Sequence, residues 1–299
     1  MSARWWFPAE PVARIAVLRA VLYPFVVLDM FLFVNDVVPK AYAPALYAPI
    51  VIPRFLHLPA PDPMLVHTLQ VLLIAACAIA ATGRLPRLAG WMVAVCYQWW
   101  IFIGMSYGKV DHDHLALLVA LWVLPTLGRA RWDSARRSEA AGWALRCIQV
   151  AVVATYFLAA FAKIRHGGWD WANGAVFTWS IERRGSMLAD PLVNLPLLLV
   201  AGQWILLVAE FTSPVVFALR GRAQAVYIVG WMVFHVVTYA AIGIHFLPTM
   251  VCWLAFAPLE KLADRVRSRP LIGRQRAGRS AAGQPVSVVG DQAVQPVSD

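Results

Sequence analysis

The feature that most constrains this chain is a series of eight apolar segments separated by polar ones. A helix needs about 20 apolar residues to cross the roughly 30 Å hydrocarbon core of a bilayer. The segments run from Val17 to Val38, Met64 to Thr82, Leu88 to Ser106, His114 to Leu127, Ala141 to Lys163, Val193 to Leu219, Ala223 to Ile242 and His245 to Pro258. The sequence therefore predicts an all-α fold, a polytopic transmembrane bundle of about eight helices. The short fourth and eighth segments are either tilted or partly re-entrant.

Composition excludes an ordinary soluble domain. The 299 residues are 61% hydrophobic and 14% charged, whereas soluble domains are about 45–50% apolar and about 25% charged. The net charge of +10 does not indicate nucleic-acid binding, because the basic residues lie between the apolar segments. One side of the predicted bundle keeps only seven of the 26 Lys and Arg, namely Lys40, Arg54, Lys109, Lys163, Arg165, Arg183 and Arg184. This bias predicts a multi-pass protein of the cell membrane with both termini in the cytoplasm.

The same patterns divide the chain into one membrane domain and a tail. Residues 1–260 are predicted to form the transmembrane domain, and residues 261–299 a basic and then low-complexity tail that is disordered. Two loops on the extracytoplasmic side are unusual. Pro39 to Pro63 contains seven prolines and predicts an extended cover. Gly167 to Asn194 is rich in Trp and predicts a short helix lying in the membrane interface.

Three polar clusters fall on this extracytoplasmic side. They are Ser106 to His114, Lys163 to Gly174, and His245. Polar groups near the membrane core are costly unless they face a bundle interior or a wet cavity, so their convergence predicts a site. His112 and His114 with their flanking aspartates suggest metal ligands. Residues two apart do not share a helix face, however, and a helix cap by Asp111 or Asp113 explains the carboxylates, so no metal is expected.

Lys163 has two interpretations. Its ammonium group would lose solvation in an apolar pocket and act as a general base. The alternative, which spacing alone favours, is that Lys163 reaches to the interface beside Arg165. Asp29 and Glu210 lie within predicted helices, where a carboxylate is a functional candidate or an inter-helix hydrogen-bond partner. The four cysteines contain no CxxC pair and are interpreted as buried, unreactive thiols.

The residues around Lys163 resemble a known family. The run from Ala159 to Ile164, followed by Asp170-Trp171 and Asn173-Gly174, is similar to a segment of the HTTM family, which includes the vitamin K-dependent gamma-carboxylase. The resemblance extends over the membrane portion, roughly Ala13 to Leu259. In that carboxylase a lysine before an Asp-Trp pair is the base that acts on vitamin K hydroquinone. The resemblance implies the same role for Lys163.

Two further stretches resemble the same family. Asp111 to Leu115 is similar to a polar loop that ends in a catalytic-pocket histidine, which implies that role for His114. Phe234-His235 followed by Ile242-Gly243 is similar to a later block, which implies that His235 lies near the same pocket. Glu210 with Pro214 matches a helix pattern that the resemblance associates with architecture.

The resemblance implies a quinol-dependent oxygenase or carboxylase-like enzyme with its site on the extracytoplasmic face. Its cofactor would be a reduced quinone, such as menaquinone or vitamin K hydroquinone, in contact with Trp169, Trp171 and Tyr107. The carboxylase has a large lumenal domain that this chain lacks, so peptide carboxylation is not expected. The alternatives are a non-catalytic lipid- or quinone-binding assembly protein and a transporter subunit. Membrane lipid is an expected partner, nucleic acid is not, and the sequence indicates no particular protein partner.

Overall fold

All eight predicted segments are helical in the computed structural model, which describes residues 3–133 and 135–268. The eight apolar helices are α1 (Val12–Leu32), α2 (Pro63–Ala81), α3 (Pro86–Met105), α4 (His112–Leu127), α5 (Glu139–Gly167), α6 (Pro196–Phe211), α7 (Gly221–Ile242) and α8 (Leu247–Phe256). Five of them, α1, α2, α3, α5 and α7, are long and apolar enough to cross a membrane. The shorter α4, α6 and α8 complete a helical membrane bundle.

The helix bounds follow local chemistry. Pro63, Pro86 and Pro196 begin α2, α3 and α6, where the missing N–H costs nothing. The carboxylate of Asp62 also accepts a 2.8 Å hydrogen bond from the Leu65 amide at the start of α2. The sixth segment was predicted to continue to Leu219, but α6 ends at Phe211, and a 3₁₀ turn containing Pro214 follows it.

Short elements connect the eight helices. They are the helices Ala3–Trp6, Val37–Lys40, Val51–Phe55, Ala175–Arg184 and Glu260–Ser268, the 3₁₀ turns Pro44–Leu46, Trp169–Ala172, Asp190–Asn194 and Ser213–Phe217, and the strands β1 (Glu10–Pro11) and β2 (Arg137–Ser138). The short helix predicted in the Trp-rich loop is present as Ala175–Arg184. The proline-rich loop is not extended throughout, because it contains the 3₁₀ turn Pro44–Leu46 and the helix Val51–Phe55. The first eight residues of the predicted tail are helical, and residues 269–299 lie outside the described part.

The core lies between α1, α2, α3, α4, α5 and α8, whose buried apolar side chains form one continuous cluster. Helix α7 is different, because only Trp231 and His235 of its 22 residues are buried. Valines such as Val226, Val229 and Val236 are more than half exposed on α7. Apolar surface of this kind is stable against lipid rather than water. Helix α7 is therefore the peripheral helix of the bundle.

Contacts between helix ends define two ends of the bundle. At one end, Arg14 in the first turn of α1 forms an ion pair with Glu260 after α8, with 2.6 Å between Nε and Oε2. We call this end the arginine-rich end. Strands β1 and β2 pair antiparallel at the same end. At the opposite end, the Tyr107 hydroxyl after α3 donates a 2.8 Å hydrogen bond to the Lys40 carbonyl after α1. This second end, the site end, also carries the polar clusters described below.

The Arg14–Glu260 pair is expected to hold the helix Glu260–Ser268 against α1. Burial acts to raise the pKa of Glu260, but the hydrogen bond and charge of Arg14 outweigh it and hold that pKa below its ordinary value. The stabilisation is therefore fully present above the ordinary glutamate pKa of about 4.3, and it is lost as pH falls through the lower folded-state value. Hydrogen-exchange protection of residues 260–268 is expected to decrease below about pH 4.

The matching variant is Glu260→Gln at pH 7. Loss of a pair worth about 1 kcal/mol is expected to raise tryptic cleavage after Lys261 about fivefold. Glu139→Gln is the control, because Glu139 is an exposed carboxylate at the same end. Equal cleavage rates in wild type and Glu260→Gln would show that the ion pair does not hold this helix.

Candidate functional site

Asp29 of α1 is a fully buried carboxylate, which is 0% exposed. Tyr97 of α3 donates its hydroxyl to Oδ2 of Asp29 at 2.5 Å, and Nε2 of His114 lies 3.3 Å from the same oxygen. The other ring nitrogen of His114, Nδ1, is 3.2 Å from Oδ1 of Asp113. Three helices thus bring one imidazole between two carboxylates, an arrangement that stabilises its protonated form and suits proton transfer.

This arrangement corrects the capping prediction for the two aspartates. Asp111 occupies the cap position of the 3₁₀ turn that begins α4, but its side chain accepts no capping hydrogen bond, and no side chain caps the α-helical part that starts at Leu115. Asp113 instead accepts from His114, and Asp111 forms a 2.6 Å ion pair with Lys109. Within residues 3–133 and 135–268, no group of three His, Cys, Asp or Glu side chains is arranged to hold a metal ion.

A small cavity at the site end reaches His114. Its volume is about 70 Å³, and its lining includes Phe33, Gly104 and His114. Two ion pairs stand at its rim: Lys40 with Asp36 at 2.7 Å, and Lys109 with Asp111 at 2.6 Å. A water molecule occupies about 30 Å³ in the liquid, so the cavity has room for about two. The cavity is therefore the size of a few water molecules and smaller than a quinone ring.

The side chain of Lys163 is 22% exposed and is directed at α6. Its ammonium group, near the end of α5, forms an ion pair with Glu210 of α6. The Trp171 ring lies 4.9 Å from Nζ and adds a cation–π contact. The side chain of Glu210 is only 10% exposed, so the pair lies largely out of water. Glu210 is therefore the ion-pair partner of Lys163.

A third polar group surrounds His235 of α7. Its Nε2 is 2.7 Å from the Tyr156 hydroxyl of α5, which also accepts a 3.0 Å hydrogen bond from Nε1 of Trp253. The Trp231 ring packs on Tyr156 with 4.1 Å between centroids. Nδ1 of His235 is buried without a hydrogen-bond partner among the described residues. A buried nitrogen of this kind is available to a ligand.

The three predicted catalytic residues thus belong to three separate groups. None of the described hydrogen bonds joins Lys163, His114 and His235 directly. Two residues of the first turn of α4, His112 and Asp113, have charges that reach these groups. Asp113 is within electrostatic range of His235 and His245, and His112 is within electrostatic range of Glu210. The groups therefore share one polar region at the site end, centred on this turn.

The three residues predicted to contact the quinone, Trp169, Trp171 and Tyr107, have different surroundings. Trp171 lies against Lys163, as described above. Trp169 is 65% exposed and stacks on Trp204 of α6 at 6.2 Å between centroids, so it faces the surroundings of the bundle. Burial and the neighbouring Tyr47 raise the pKa of Tyr107, which therefore remains a neutral donor to the Lys40 carbonyl. Neither Trp169 nor Tyr107 contacts Lys163, His114 or His235 through the described interactions.

Sequence reasoning missed two members of the site. Tyr97 and Tyr156 are among the buried aromatic residues of the core. The Tyr97 hydroxyl donates a hydrogen bond to Asp29, and the Tyr156 hydroxyl forms hydrogen bonds with His235 and Trp253. Their only sequence signal is a hydroxyl group inside an apolar segment, where it requires a partner. The four cysteines are free; Cys77, Cys96 and Cys252 are buried and Cys147 is half-buried.

Comparisons of the chain with protein-family models, with curated proteins and with solved structures found no match. The fold defines the class of protein, a helical membrane protein with a polar region at one end.

Proposed function

We propose that this chain is a membrane-embedded enzyme that removes a proton from a reduced, lipid-soluble quinone, in the manner of the HTTM family that its sequence resembles. The observation that carries the proposal is the largely buried Lys163–Glu210 pair beside Trp171. Ionisable pairs at membrane depth are costly and mark sites of proton transfer or substrate binding. Trp171 supplies an aromatic wall against which a quinone ring can stack.

The ion pair changes how Lys163 acts. A lysine paired with a carboxylate is protonated and cannot itself accept a proton, so the pair acts as one base. Glu210 takes the proton from a substrate hydroxyl, and the ammonium group of Lys163 remains beside the oxygen that has lost it. This placement stabilises the developing negative charge in a region of low dielectric. His235 offers Nδ1 to a second substrate oxygen, and His114 exchanges protons with the cavity at the site end.

The proposed reaction ends when the deprotonated quinol reacts with O2, as in the membrane half-reaction of the carboxylase. One oxygen atom is incorporated into the quinone epoxide, and the other leaves with the two quinol protons as water. Oxygen and water fit the cavity of about 70 Å³, whereas the larger ring must arrive from the lipid. The distribution of Lys and Arg supports a site end that faces the extracytoplasmic side of the cell membrane. The proposal covers the quinol half-reaction and does not include peptide carboxylation.

The test uses the full chain in nanodiscs, supplied with reduced menaquinone or vitamin K hydroquinone under oxygen. Mass spectrometry is expected to detect quinone epoxide from wild type and at least about 100-fold less from Lys163→Met, the loss typical of removing an acid–base group. Arg14→Met is the matched control, since it breaks an inter-helix ion pair at the opposite end and is expected to leave turnover unchanged.

Two outcomes would contradict the proposal. Preserved turnover in folded Lys163→Met would refute the role of the pair as the base. Absence of product from folded wild type would refute quinol oxidation. In that second case, binding of the quinone measured by tryptophan fluorescence would identify a non-catalytic quinone-binding protein.

A further inference from the structure

Two adjoining loops at the arginine-rich end, away from the proposed site, carry four exposed arginines. Arg84 and Arg87 come from the turn between α2 and α3, and Arg129 and Arg131 follow α4. The two loops touch, because a Cβ atom at Gly128 would lie 3.3 Å from Nε of Arg87. Within residues 3–133 and 135–268, no ion pair joins any of the four to a carboxylate. Their positive charges are therefore unneutralised by the described protein.

A buried arginine holds this arrangement in place. Arg19 of α1 is 3% exposed and donates to the Gly128 carbonyl at 2.5 Å and to the Leu124 carbonyl. The Leu124 carbonyl belongs to the last turn of α4 and the Gly128 carbonyl directly follows the helix, so neither has an α-helical partner within the helix. Gly128 then turns the chain with a φ of +65°. The backbone that carries Arg129 is thus held rigidly beside Arg87.

An aromatic, lipid-exposed surface continues from the arginines along the bundle. Arg87, Trp91 and Val95 follow each other at four-residue spacing, which puts them on one face of α3. The Trp91 ring lies 5.6 Å from that of Trp122 on α4, and Trp122 donates a 3.1 Å hydrogen bond to Gln98. Trp91 and Trp122 are 37% and 39% exposed. Tryptophan is favoured at the level of the lipid headgroups, so this surface begins at the membrane interface.

We propose that this surface is a binding site for an anionic phospholipid. Its phosphate lies among Arg84, Arg87, Arg129 and Arg131, and its acyl chains lie along Trp91 and Trp122. Arginine matches the geometry of a phosphate with two parallel hydrogen bonds. Basic groups between membrane helices, with an apolar face below them, are suited to anionic headgroups. A zwitterionic lipid has no net charge to neutralise the four guanidinium groups and binds less well.

The test is native mass spectrometry of the purified full chain with phosphatidylglycerol added in detergent. Each basic group near a headgroup contributes about as much as a fivefold change in affinity, so Arg87→Gln/Arg129→Gln is expected to weaken phosphatidylglycerol binding about 30-fold. Arg136→Gln/Arg222→Gln removes the same charge from exposed positions at the same end and is expected to bind within about twofold of wild type. Phosphatidylcholine is expected to compete weakly.

Three results would overturn the site. Equal loss of binding in the two double variants would mean that net charge alone attracts the lipid. Equal binding of phosphatidylcholine would mean that the arginines do not select for a negatively charged headgroup. Displacement by millimolar glycerol phosphate would mean that the surface binds soluble phosphate and not a lipid. The melting temperature without added lipid checks that both double variants are folded.

Discussion

Replacing Glu210 by Gln is expected to lower the free energy of unfolding by about 3 kcal/mol, because it leaves the ammonium group of Lys163 without its counter-charge. A neutral amide accepts a hydrogen bond, but it does not compensate a largely buried positive charge. Chemical unfolding in mixed detergent, followed by tryptophan fluorescence, measures this change. Glu182→Gln is the matched control, because Glu182 is exposed on the short helix Ala175–Arg184.

The double variant Lys163→Met/Glu210→Met separates folding from function. Removing both charges is expected to recover most of the stability lost in Glu210→Gln, because apolar replacement of a buried pair is often neutral or stabilising. Turnover is expected to stay absent, since the pair is the proposed base. A double variant as unstable as Glu210→Gln would show that the two residues do not act as one unit in the fold.

Replacing Asp29 by Leu is expected to have the largest effect on stability, about 4 kcal/mol. It leaves the Tyr97 hydroxyl and Nε2 of His114 without their shared acceptor in the buried core, and each unsatisfied group costs about 1–3 kcal/mol. The same unfolding experiment measures this loss. Asp29→Asn keeps an acceptor oxygen and is expected to lose less than half as much.

Two comparisons test this explanation for Asp29. Asp36→Asn is the control, because the side chain of Asp36 is 58% exposed in its ion pair with Lys40, and exposed pairs contribute little. A double-mutant cycle of Asp29→Leu with Tyr97→Phe is expected to be strongly non-additive. Additive losses would mean that the Tyr97–Asp29 hydrogen bond does not stabilise the bundle.

The eight helices could be predicted because the signal for a membrane helix is local. A run of about 20 apolar residues must form a helix in lipid, since every backbone polar group needs a partner within the segment. Prolines such as Pro63 and Pro196 place the first turns within a few residues. The least accurate boundary was that of α6, where Pro214 ends an apolar run that hydropathy alone continues.

Part of the candidate site could also be predicted. Lys163, His114 and His235 stand out in apolar surroundings, and alternation of the helices places their segments at one end of the bundle. Asp29 and Glu210 are conspicuous for the same reason. The hydrogen-bond and ion-pair partners of these residues could not be predicted, because hydropathy does not say which helices are neighbours or which way a side chain points.

By itself, then, the sequence determined a helical membrane bundle, its eight helices and the end that carries its polar groups. Only the tertiary structure decided that His114 meets Asp29, 85 residues away, and that Lys163 meets Glu210, 47 residues away. It also decided that Arg87 lies beside Gly128. The physical reason is that lipid sorts residues by polarity along each helix, whereas packing between helices selects the partners of every buried charge.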